Sequence, residues 1–372
     1  MQVNLAYLLN RPTGTTQYAL SLLPYLDDLS PSYLATAASH LPPSRYRAVP
    51  ANMTAAQGTA GHLRRLAWTQ LKLPGLCKQA STASQASSGS QSSSLLFSPI
   101  PEAPLFGPTR FVVTFHDLIP LRFPQSFGAI KLFYKHYVPQ VLRQAERIIC
   151  NSEATARDVT DFYGISAHKL VAIPLAYDAQ HFRPTSALPD ILKDQPDRPY
   201  FLMLGRQAPY KNIGRAIEAL AQIKADCMLL IAGPTDERYT PELIAQAESL
   251  GVRSRLQFLS YVPYDQLPGL LSQAIALIFP SLWEGFGLPV LEAMACGTPV
   301  ICSDVASLPE VAGEAALLVN PTEVSAIASA VNQVLTDPAL RLQLKTAGLQ
   351  RVQQFSWEKT GRATVEILRQ HL

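Results

Sequence analysis

Two glutamates with a fixed spacing are the residues of this chain best suited to chemistry. Glu284 and Glu292 are separated by seven residues in the stretch "WEGFGLPVLEAMACGTP". The apolar run "AIALIFP" before it predicts a buried strand, and a helix is predicted to begin near Leu288, with Pro289 in its first turn, and to stop at Gly297. The two acids therefore flank a turn at the carboxyl end of a strand, where parallel sheets bind ligands.

The turn between the glutamates offers backbone groups to an anion. The glycines of Gly285–Phe286–Gly287 let the main chain approach a ligand, and free N–H groups at a helix start favour negative charge such as a diphosphate. Ionised carboxylates accept hydrogen bonds, and sugar hydroxyls donate them. Together these groups predict a nucleotide-sugar ligand. The alternative is a solvated pair at a helix start, which is the favoured interpretation of either glutamate alone, because Glu is common in first turns.

The stretch "LGRQAPYKN" (204–212) predicts a second anion site. It follows another predicted strand, with Gly205 for the turn and Asn212 to begin a helix. Arg206 suits bidentate phosphate contact, and Lys211 supplies a point charge. Surface solvation is the alternative for either basic residue alone.

Two candidates of the first half lie near predicted strands. His116, followed by Asp117 in "FVVTFHDLIP", either binds a substrate hydroxyl, takes part in proton transfer, or is a structural histidine held by Asp117. Gly14 lies in the first strand–helix loop, where it either approaches the ligand or only turns the chain.

Short apolar runs that alternate with helical patterns predict the elements that hold these residues. In the second half the predicted strands are 200–205, 227–233, 255–262, 274–280, 299–303 and 315–319. In the first half they are 2–9, 32–38, 94–99, 110–117, 147–152 and 169–175. The chain is thus predicted to be α/β, with two Rossmann-like domains joined around residues 173–184 and a final helix at 355–372.

Composition narrows the class of protein. A length of 372 residues favours two domains, and no run of about 18 apolar residues predicts a spanning helix. The N-terminus lacks the features of a signal peptide, so it is interpreted as a first strand. Five cysteines without a CxxC pair predict free thiols in a reducing cytoplasm and no zinc site. No D-x-D, GxGxxG, GxxxxGK[ST] or GxSxG is present, which argues against a metal-binding acid pair, a dinucleotide oxidoreductase, a P-loop NTPase and an α/β-hydrolase.

The net charge of +3 conceals an uneven distribution: residues 1–180 carry +6 and the remainder −3. The basic half favours an anionic acceptor or a membrane surface, although an ordinary solvated face is the preferred interpretation. The basic stretch 61–78 is predicted to be a helix packed on its own domain and cut short by Pro74 and Gly75, with a membrane-lying helix as the alternative. The Ser-rich stretch 78–94 is predicted to be a mobile surface loop.

The stretch "PSLWEGFGLPVLEAMACGTPVICSD" (280–304) resembles the signature of the family-4 retaining glycosyltransferases, which have the two-Rossmann GT-B fold. "LGRQAPYKN", "FHDLIP", "ICNSEATARDVTDFYGI" and "KLVAIPLAYDAQHFRP" also match in order, so the resemblance covers nearly the whole chain. It implies parallel sheets that face a central crevice. It also implies an acceptor-side domain at 1–178, a nucleotide-sugar donor domain at 179–355, and a C-terminal helix at 356–372 that packs back on the first domain.

The resemblance also implies roles for individual residues. Glu284 would bind the hydroxyls of the donor sugar, and Glu292 the ribose. Arg206 and Lys211 would neutralise the diphosphate leaving group, and His116 would lie near the donor sugar and acceptor. Backbone groups would contact the donor at Gly14, Gly285, Phe286, Gly287 and Leu288. One departure from the pattern is that Thr13 and Thr15 flank Gly14, where the family usually has two adjacent glycines.

The predicted activity is retaining, metal-independent transfer of a hexose from a GDP-mannose or UDP-glucose type of donor to a hydroxyl of a glycan or glycolipid. No cofactor, metal or nucleic acid is predicted. The expected location is the cytoplasm, with peripheral contact at the inner face of the membrane left open. The alternatives are a sugar-nucleotide epimerase of the same fold and a non-catalytic nucleotide-sugar binding protein.

Overall fold

The computed structural model describes two compact units. The described residues are 1–8, 13–36, 41, 43–79, 95–193 and 198–372. One unit comprises Met1–Leu175 together with Trp357–Leu372, and the other comprises Ala176–Ser356. Of the Ser-rich stretch, only Lys78 and Gln79 are described, so the predicted loop at 80–94 lies outside the described residues.

The first unit is built on a parallel sheet of seven strands in the order β3-β2-β1-β4-β5-β6-β7. The strands are β1 (Gln2–Leu5), β2 (Ser32–Ala35), β3 (Tyr46–Ala48), β4 (Leu95–Ser98), β5 (Arg110–Phe115), β6 (Arg147–Cys150) and β7 (Leu170–Ala172). Six of them were predicted from buried apolar runs. The strand β3 was missed, because it is a three-residue edge strand without a buried residue.

Helices cover this sheet. They are α1 (Gly14–Leu26), α2 (Gly58–Leu71), α3 (Ile119–Arg122), α4 (Ile130–Leu132), α5 (Val138–Gln144) and α6 (Glu153–Tyr163), with a π-helical turn at Phe133–Tyr137. The predicted break at Pro74 and Gly75 is wrong in position. The helix α2 ends at Leu71, and residues 73–79 are helical again. Proline is tolerated in the first turn of a helix, so Pro74 does not end this second segment.

The second unit has a six-stranded parallel sheet in the order β10-β9-β8-β11-β12-β13. Its strands are β8 (Tyr200–Leu204), β9 (Met228–Ala232), β10 (Leu256–Ser260), β11 (Ala276–Phe279), β12 (Val300–Ser303) and β13 (Leu317–Val319). Its helices are α7 (Ile213–Gln222), α8 (Thr240–Ser249), α9 (Leu267–Ser272), α10 (Leu288–Ala295), α11 (Leu308–Ala312), α12 (Val324–Thr336) and α13 (Pro338–Arg351). All six predicted strands are present, because buried parallel strands are nearly continuous apolar runs.

The C-terminal helix α14 (Trp357–Arg369) belongs to the first unit and packs on α1. A Cβ atom on Gly361 would lie 2.2 Å from the Tyr25 ring, so glycine is needed where the two helices touch. The Thr360 hydroxyl donates to the Pro174 carbonyl at 2.7 Å. The five cysteines are all free and buried, as predicted.

Candidate active site

The strand order of the second unit defines where a ligand can bind. The chain leaves β8 toward β9 on one side of the sheet and leaves β11 toward β12 on the other. In open parallel sheets, ligands bind at this reversal, beyond the carboxyl ends of the strands. The loops that follow β8 and β11 are 205–212 and 280–287, and these are the two stretches that the sequence singled out.

Lys211 and Glu284 meet at this point. The Lys211 Nζ lies 2.6 Å from Glu284 Oε1, and only 13% and 11% of the two side chains are exposed. The ammonium also lies 4.6 Å from the centre of the Phe279 ring. Gly205 has φ +133°, and a Cβ atom on it would lie 3.1 Å from Lys211 Cε, so this glycine makes room for the lysine stem. Each charge therefore has one close partner that a ligand can replace.

Asn212 fixes the end of the 205–212 loop. It adopts the left-handed conformation with φ +60°, and its side chain does not cap α7. Instead, Asn212 Nδ2 donates to the carbonyl oxygens of Pro280 at 2.9 Å and Pro321 at 2.6 Å. The loop that carries Lys211 is thereby tied to the segment that follows β11 and leads to Glu284.

The turn after Glu284 is held by a buried serine. Ser307 Oγ lies 3.0 Å from the carbonyl oxygen of Glu284 and 2.7 Å from that of Phe286. Gly287 has φ +110°, and a Cβ atom on it would lie 2.7 Å from Leu308 Cδ2. Within the described chain no side chain caps α10, which begins at Leu288. Pro289 has no N–H, and the Val290 N–H donates to the Gly287 carbonyl at 3.0 Å, so the Leu288 N–H is the first-turn donor that remains available to an anion among the described residues.

Glu292 lies one turn into α10 and differs from Glu284. Its carboxylate has no hydrogen-bond or salt-bridge partner among the described residues. Burial raises the pKa of Glu292 to about 7. A desolvated, unpaired carboxylate in a ligand crevice marks a candidate binding group, because folding alone gives no reason to keep it.

Arg206 makes a different contact from the one its predicted role requires. Its guanidinium lies 3.6 Å from Asp236 Oδ2, and about half of the side chain is exposed. Hydrogen bonds from Arg238 lower the pKa of Asp236 to about 2. The structure thus brings Lys211 and Glu284 together and places Arg206 against Asp236, so a diphosphate has to compete with that carboxylate for Arg206.

His116 and Gly14 belong to the first unit. Burial lowers the pKa of His116 to about 4, and its Nε2 lies 2.9 Å from the carbonyl oxygen of Pro99. The ring is therefore neutral with Nε2 as donor, which leaves Nδ1 as an acceptor. The neighbouring Asp117 accepts from Ile119 N through Oδ1 at 3.0 Å.

Gly14 is the first residue of α1, and Thr13 Oγ1 caps that helix by accepting from Thr16 N at 3.2 Å. The threonine that replaces a glycine of the family pattern therefore has a structural role here. The four loop residues before Thr13 lie outside the described part of the chain.

Sequence reasoning missed the residues that position the site. Ser307 and the bridging role of Asn212 were not foreseen, and neither was the ion pair between Lys211 and Glu284, which are 73 positions apart. One feature of the sequence could have indicated Ser307: it is a polar residue soon after a buried strand, β12, that neighbours β11.

The Lys211–Glu284 pair lies at the switch point, where the strand order of the second sheet reverses. Two Rossmann-like units with this feature define the class of protein, and comparison with known proteins identifies the family. Residues 90–181 match the family described as Glycosyltransferase Family 4, and residues 186–351 match Glycosyl transferases group 1. O-antigen chain mannosyltransferase B of Escherichia coli is 32% identical over 265 residues, which cover 69% of each chain. The chain belongs to the family-4 glycosyltransferases of the GT-B fold.

Other relatives differ in length or share only the fold. The serotype-specific mannosyltransferase WbdA of Escherichia coli is 31% identical, over 70% of this chain and 33% of that relative, so this chain spans about a third of it. Among solved structures, sucrose-phosphate synthase of Thermosynechococcus elongatus has a TM-score of 0.75 at 22% identity, over 100% of this chain and 98% of that one. Anabaena HepE, solved in complex with UDP and glucose, has a TM-score of 0.75 at 20% identity and full coverage of both chains.

In the described part of the chain, no helix is both long enough and apolar enough to cross a bilayer.

Proposed function

We propose that this glycosyltransferase moves a hexose, with retention at the anomeric carbon, from a nucleoside-diphosphate sugar to a hydroxyl of a glycan or lipid-linked glycan. The observation that carries the proposal is the Lys211–Glu284 pair at the switch point, 2.6 Å apart and beside the uncapped start of α10. The names of the relatives, which include several mannosyltransferases, favour a mannose-type donor and polysaccharide assembly.

The charges of the site support departure of a diphosphate. When the bond from the anomeric carbon to the diphosphate breaks, negative charge develops on the leaving oxygen. Lys211, Arg206 and the positive end of α10 with its Leu288 N–H would stabilise that charge without a metal ion. The acceptor hydroxyl then attacks the same face of the sugar, and its proton passes to the leaving diphosphate. No covalent intermediate on the protein is required.

The two glutamates would divide the recognition of the donor. Glu284, released from Lys211 as the phosphate takes that ammonium, would accept hydrogen bonds from sugar hydroxyls. Glu292 would accept hydrogen bonds from the ribose hydroxyls. These bonds would give a partner to a carboxylate that has none within the described chain. His116 would accept a hydrogen bond from a hydroxyl through Nδ1, because a histidine with a pKa of about 4 is a poor proton donor at neutral pH.

Donor identity can be established by thermal-shift titration with GDP-, UDP- and ADP-sugars, because a ligand that binds the folded state raises its melting temperature. The donor so found is then incubated with acceptor, and product linkage is read by NMR. Glu284→Gln should impair transfer more than donor affinity, and Glu292→Gln should weaken donor affinity. Retained affinity and turnover in both variants would overturn this division of roles.

The same incubation separates the alternatives. With donor alone, an epimerase would produce an isomerised sugar, whereas a transferase would show only slow hydrolysis. A binding protein would bind donor and show neither transfer nor hydrolysis. Inversion of the anomeric configuration in the product would overturn the retaining mechanism.

We further propose that the first unit contacts an anionic membrane surface, where a lipid-linked acceptor would be found. Residues 58–79 and 118–145 each contain four Lys or Arg and no Asp or Glu. Apolar side chains are exposed on the same elements: Leu63 and Leu71 on α2 are 61% and 77% exposed, and Leu132 on α4 is 53% exposed. Arg65 and Arg122 are paired with Glu102 and Asp158. Exposed leucines on segments whose other basic residues have no acidic neighbour in sequence fit the interface of an anionic bilayer.

Hydrogen bonds of the Gln70 side chain link α2 to the other basic segment. Gln70 Nε2 on α2 lies 3.0 Å from the carbonyl oxygen of Ala103 and 3.0 Å from the hydroxyl of Tyr137. Gln70 Oε1 accepts from Leu105 N at 2.9 Å. Helix α2, the loop that carries the 73% exposed Phe106, and the π-helical turn after α4 are therefore held together.

Vesicle sedimentation tests this contact. The wild-type protein should bind phosphatidylglycerol-containing vesicles and should bind pure phosphatidylcholine weakly. The double variant Leu63→Glu with Leu71→Glu should lose at least about tenfold in binding, since two apolar anchors are replaced by charges that the lipid repels. Leu342→Glu is the matched control, because Leu342 is 66% exposed on α13 of the other unit. Equal loss in the control, or no binding by the wild type, would overturn the contact but not the transferase activity.

A further inference from the structure

The second unit has a groove that the proposed transfer does not use. It lies between α7 and α8 and has a volume of about 540 Å³, which is within the range of small-molecule sites. Ile213, Arg215 and Glu218 of α7 line one side. Glu242 and Gln246 of α8 line the other.

Gln207 lies against this groove and carries a buried donor without a partner. The residue is fully buried, and its Nε2 has no hydrogen-bond partner in the described part of the chain. The Thr240 hydroxyl accepts from Asp236 N at 3.0 Å, so its proton points to Gln207 Oε1, 2.5 Å away. This chain of hydrogen bonds fixes the orientation of the amide and leaves the NH₂ group unsatisfied, which is an unfavourable state for a buried donor.

The start of α7 adds further donors at the same groove. The side chain of Asn212 is directed to Pro280 and Pro321, so it leaves the first-turn N–H groups of α7 uncapped. Arg215, whose Nη1 donates to Asn212 Oδ1 at 2.9 Å, brings a guanidinium to this end. A buried amide, a helix start and an arginine together form a site for an anion.

Acceptors line the groove as well, one on each helix. Glu242 lies in the first turn of α8, and Glu218 Oε1 accepts from Gln246 Nε2 at 2.7 Å. Carboxylates repel a bare anion but accept hydrogen bonds from hydroxyl groups. A ligand that satisfies both the donors and the acceptors therefore carries an anionic group and hydroxyl groups.

We propose that this groove binds a sugar phosphate, with the phosphate toward Gln207 and the start of α7 and the sugar hydroxyls toward Glu218 and Glu242. The site is separate from the Lys211–Glu284 pair, although both adjoin the 205–212 loop. The ammonium of Lys211 is turned to Glu284, whereas Gln207 and Asn212 line the groove.

Calorimetric titration with glucose 6-phosphate, inorganic phosphate and glucose tests the proposal. The wild-type protein should bind glucose 6-phosphate more tightly than phosphate, and glucose least. Arg215→Ala should weaken glucose 6-phosphate binding by about tenfold, because a charge-assisted contact is lost. Lys224→Ala, which removes an exposed charge from the loop after α7, should change affinity less than about twofold.

Two further variants make the outcome decisive. Gln207→Ala should weaken binding, and circular dichroism shows whether that buried change leaves the fold intact. If the variant fails to fold, Glu242→Ala on the surface of α8 supplies the second test and should reduce the preference for glucose 6-phosphate over phosphate. Lys211→Ala should leave glucose 6-phosphate affinity unchanged. Loss of binding in Lys211→Ala would place the ligand at the Lys211–Glu284 site, and equal affinity in wild type and Arg215→Ala would remove the groove as a site.

Discussion

Each unit has an acid–base pair close to the switch point of its sheet, and the two pairs are built differently. In the first unit, the guanidinium of Arg65 meets Glu102 through two contacts of 2.7 and 2.6 Å, and Arg65 also donates to the Met53 carbonyl at 3.1 Å. The two side chains are only 7% and 6% exposed. In the second unit, Lys211 and Glu284 share one contact and are nearly twice as exposed.

This difference separates a pair suited to a structural role from one suited to exchange with a ligand. A bidentate arginine with all its groups occupied has nothing left to offer a ligand. A lysine is a point charge on a flexible stem, and a single contact can be exchanged for a phosphate. A buried ion pair is thus a poor guide to function unless its partners can be released.

The largest expected effect is on the stability of the first unit. Arg65→Met leaves Glu102 buried without its partner, and this should cost about 3–5 kcal/mol in the free energy of unfolding. The double variant Arg65→Met with Glu102→Leu should recover most of that loss, because replacing both charges by apolar groups removes the desolvation penalty. Urea denaturation measures the unfolding free energy of both variants. A small loss of stability in Arg65→Met would remove the contrast with the second unit.

The next effect is on turnover. Lys211→Ala should reduce transfer by about 10²–10³-fold, the size expected when a group that stabilises developing oxyanion charge is lost. Its unfolding free energy should fall less than that of Arg65→Met, because Glu284 loses one contact whereas Glu102 loses two. Initial rates at saturating donor and a parallel urea curve check this. Wild-type turnover would eliminate the proposed role of Lys211.

A smaller effect concerns the turn before α10. Gly287→Ala should cost about 1–3 kcal/mol in unfolding free energy, since alanine is strained at φ +110° and its Cβ would press on Leu308. Gly14→Ala in the first unit is the control. Gly14 begins α1, and alanine is a better helix former than glycine. Equal melting temperatures for the two variants would show that the 284–288 turn stores no strain.

The smallest effect depends on pH. The pKa of Glu292 is about 7 in the folded protein against an ordinary value of 4.5, so the folded state binds the proton more tightly than the unfolded state. Desolvation of the carboxylate therefore does not lower the free energy of unfolding well below pH 4.5. The loss of stability grows as the pH rises from 4.5 to 7 and is complete above pH 7. Because the residue is partly exposed, Glu292→Gln should raise the unfolding free energy by only about 1–2 kcal/mol at pH 8.

That gain should be nearly gone at pH 4.5, where the carboxyl group is protonated in the folded state and half protonated in the unfolded state. Urea curves of wild type and variant at both pH values provide the measurement. A gain that does not change with pH would mean that Glu292 is not desolvated, and its assignment as a ligand group would lose its physical basis.

The strands and motifs were predictable because their causes are local. A buried parallel strand must be an apolar run, so twelve of the thirteen strands in the described residues were predicted. The strand β3 was missed because its residues are not buried. The limits of α10 followed from Pro289 and Gly297, whose backbone preferences act within one turn. The break after α2 was misplaced because Pro74 was taken as a helix stop when it lies in the first turn of a second helical segment.

The sequence by itself determined the α/β class and the two sheets, and it predicted a ligand site at the turn between Glu284 and Glu292. Only the tertiary structure decided which charged side chains form ion pairs with one another. It paired Lys211 with Glu284 and Arg65 with Glu102, turned Arg206 to Asp236, and left Glu292 without a partner in the described chain. The physical reason is that electrostatic partners depend on distances of a few ångströms between residues far apart in sequence, and no local pattern contains those distances.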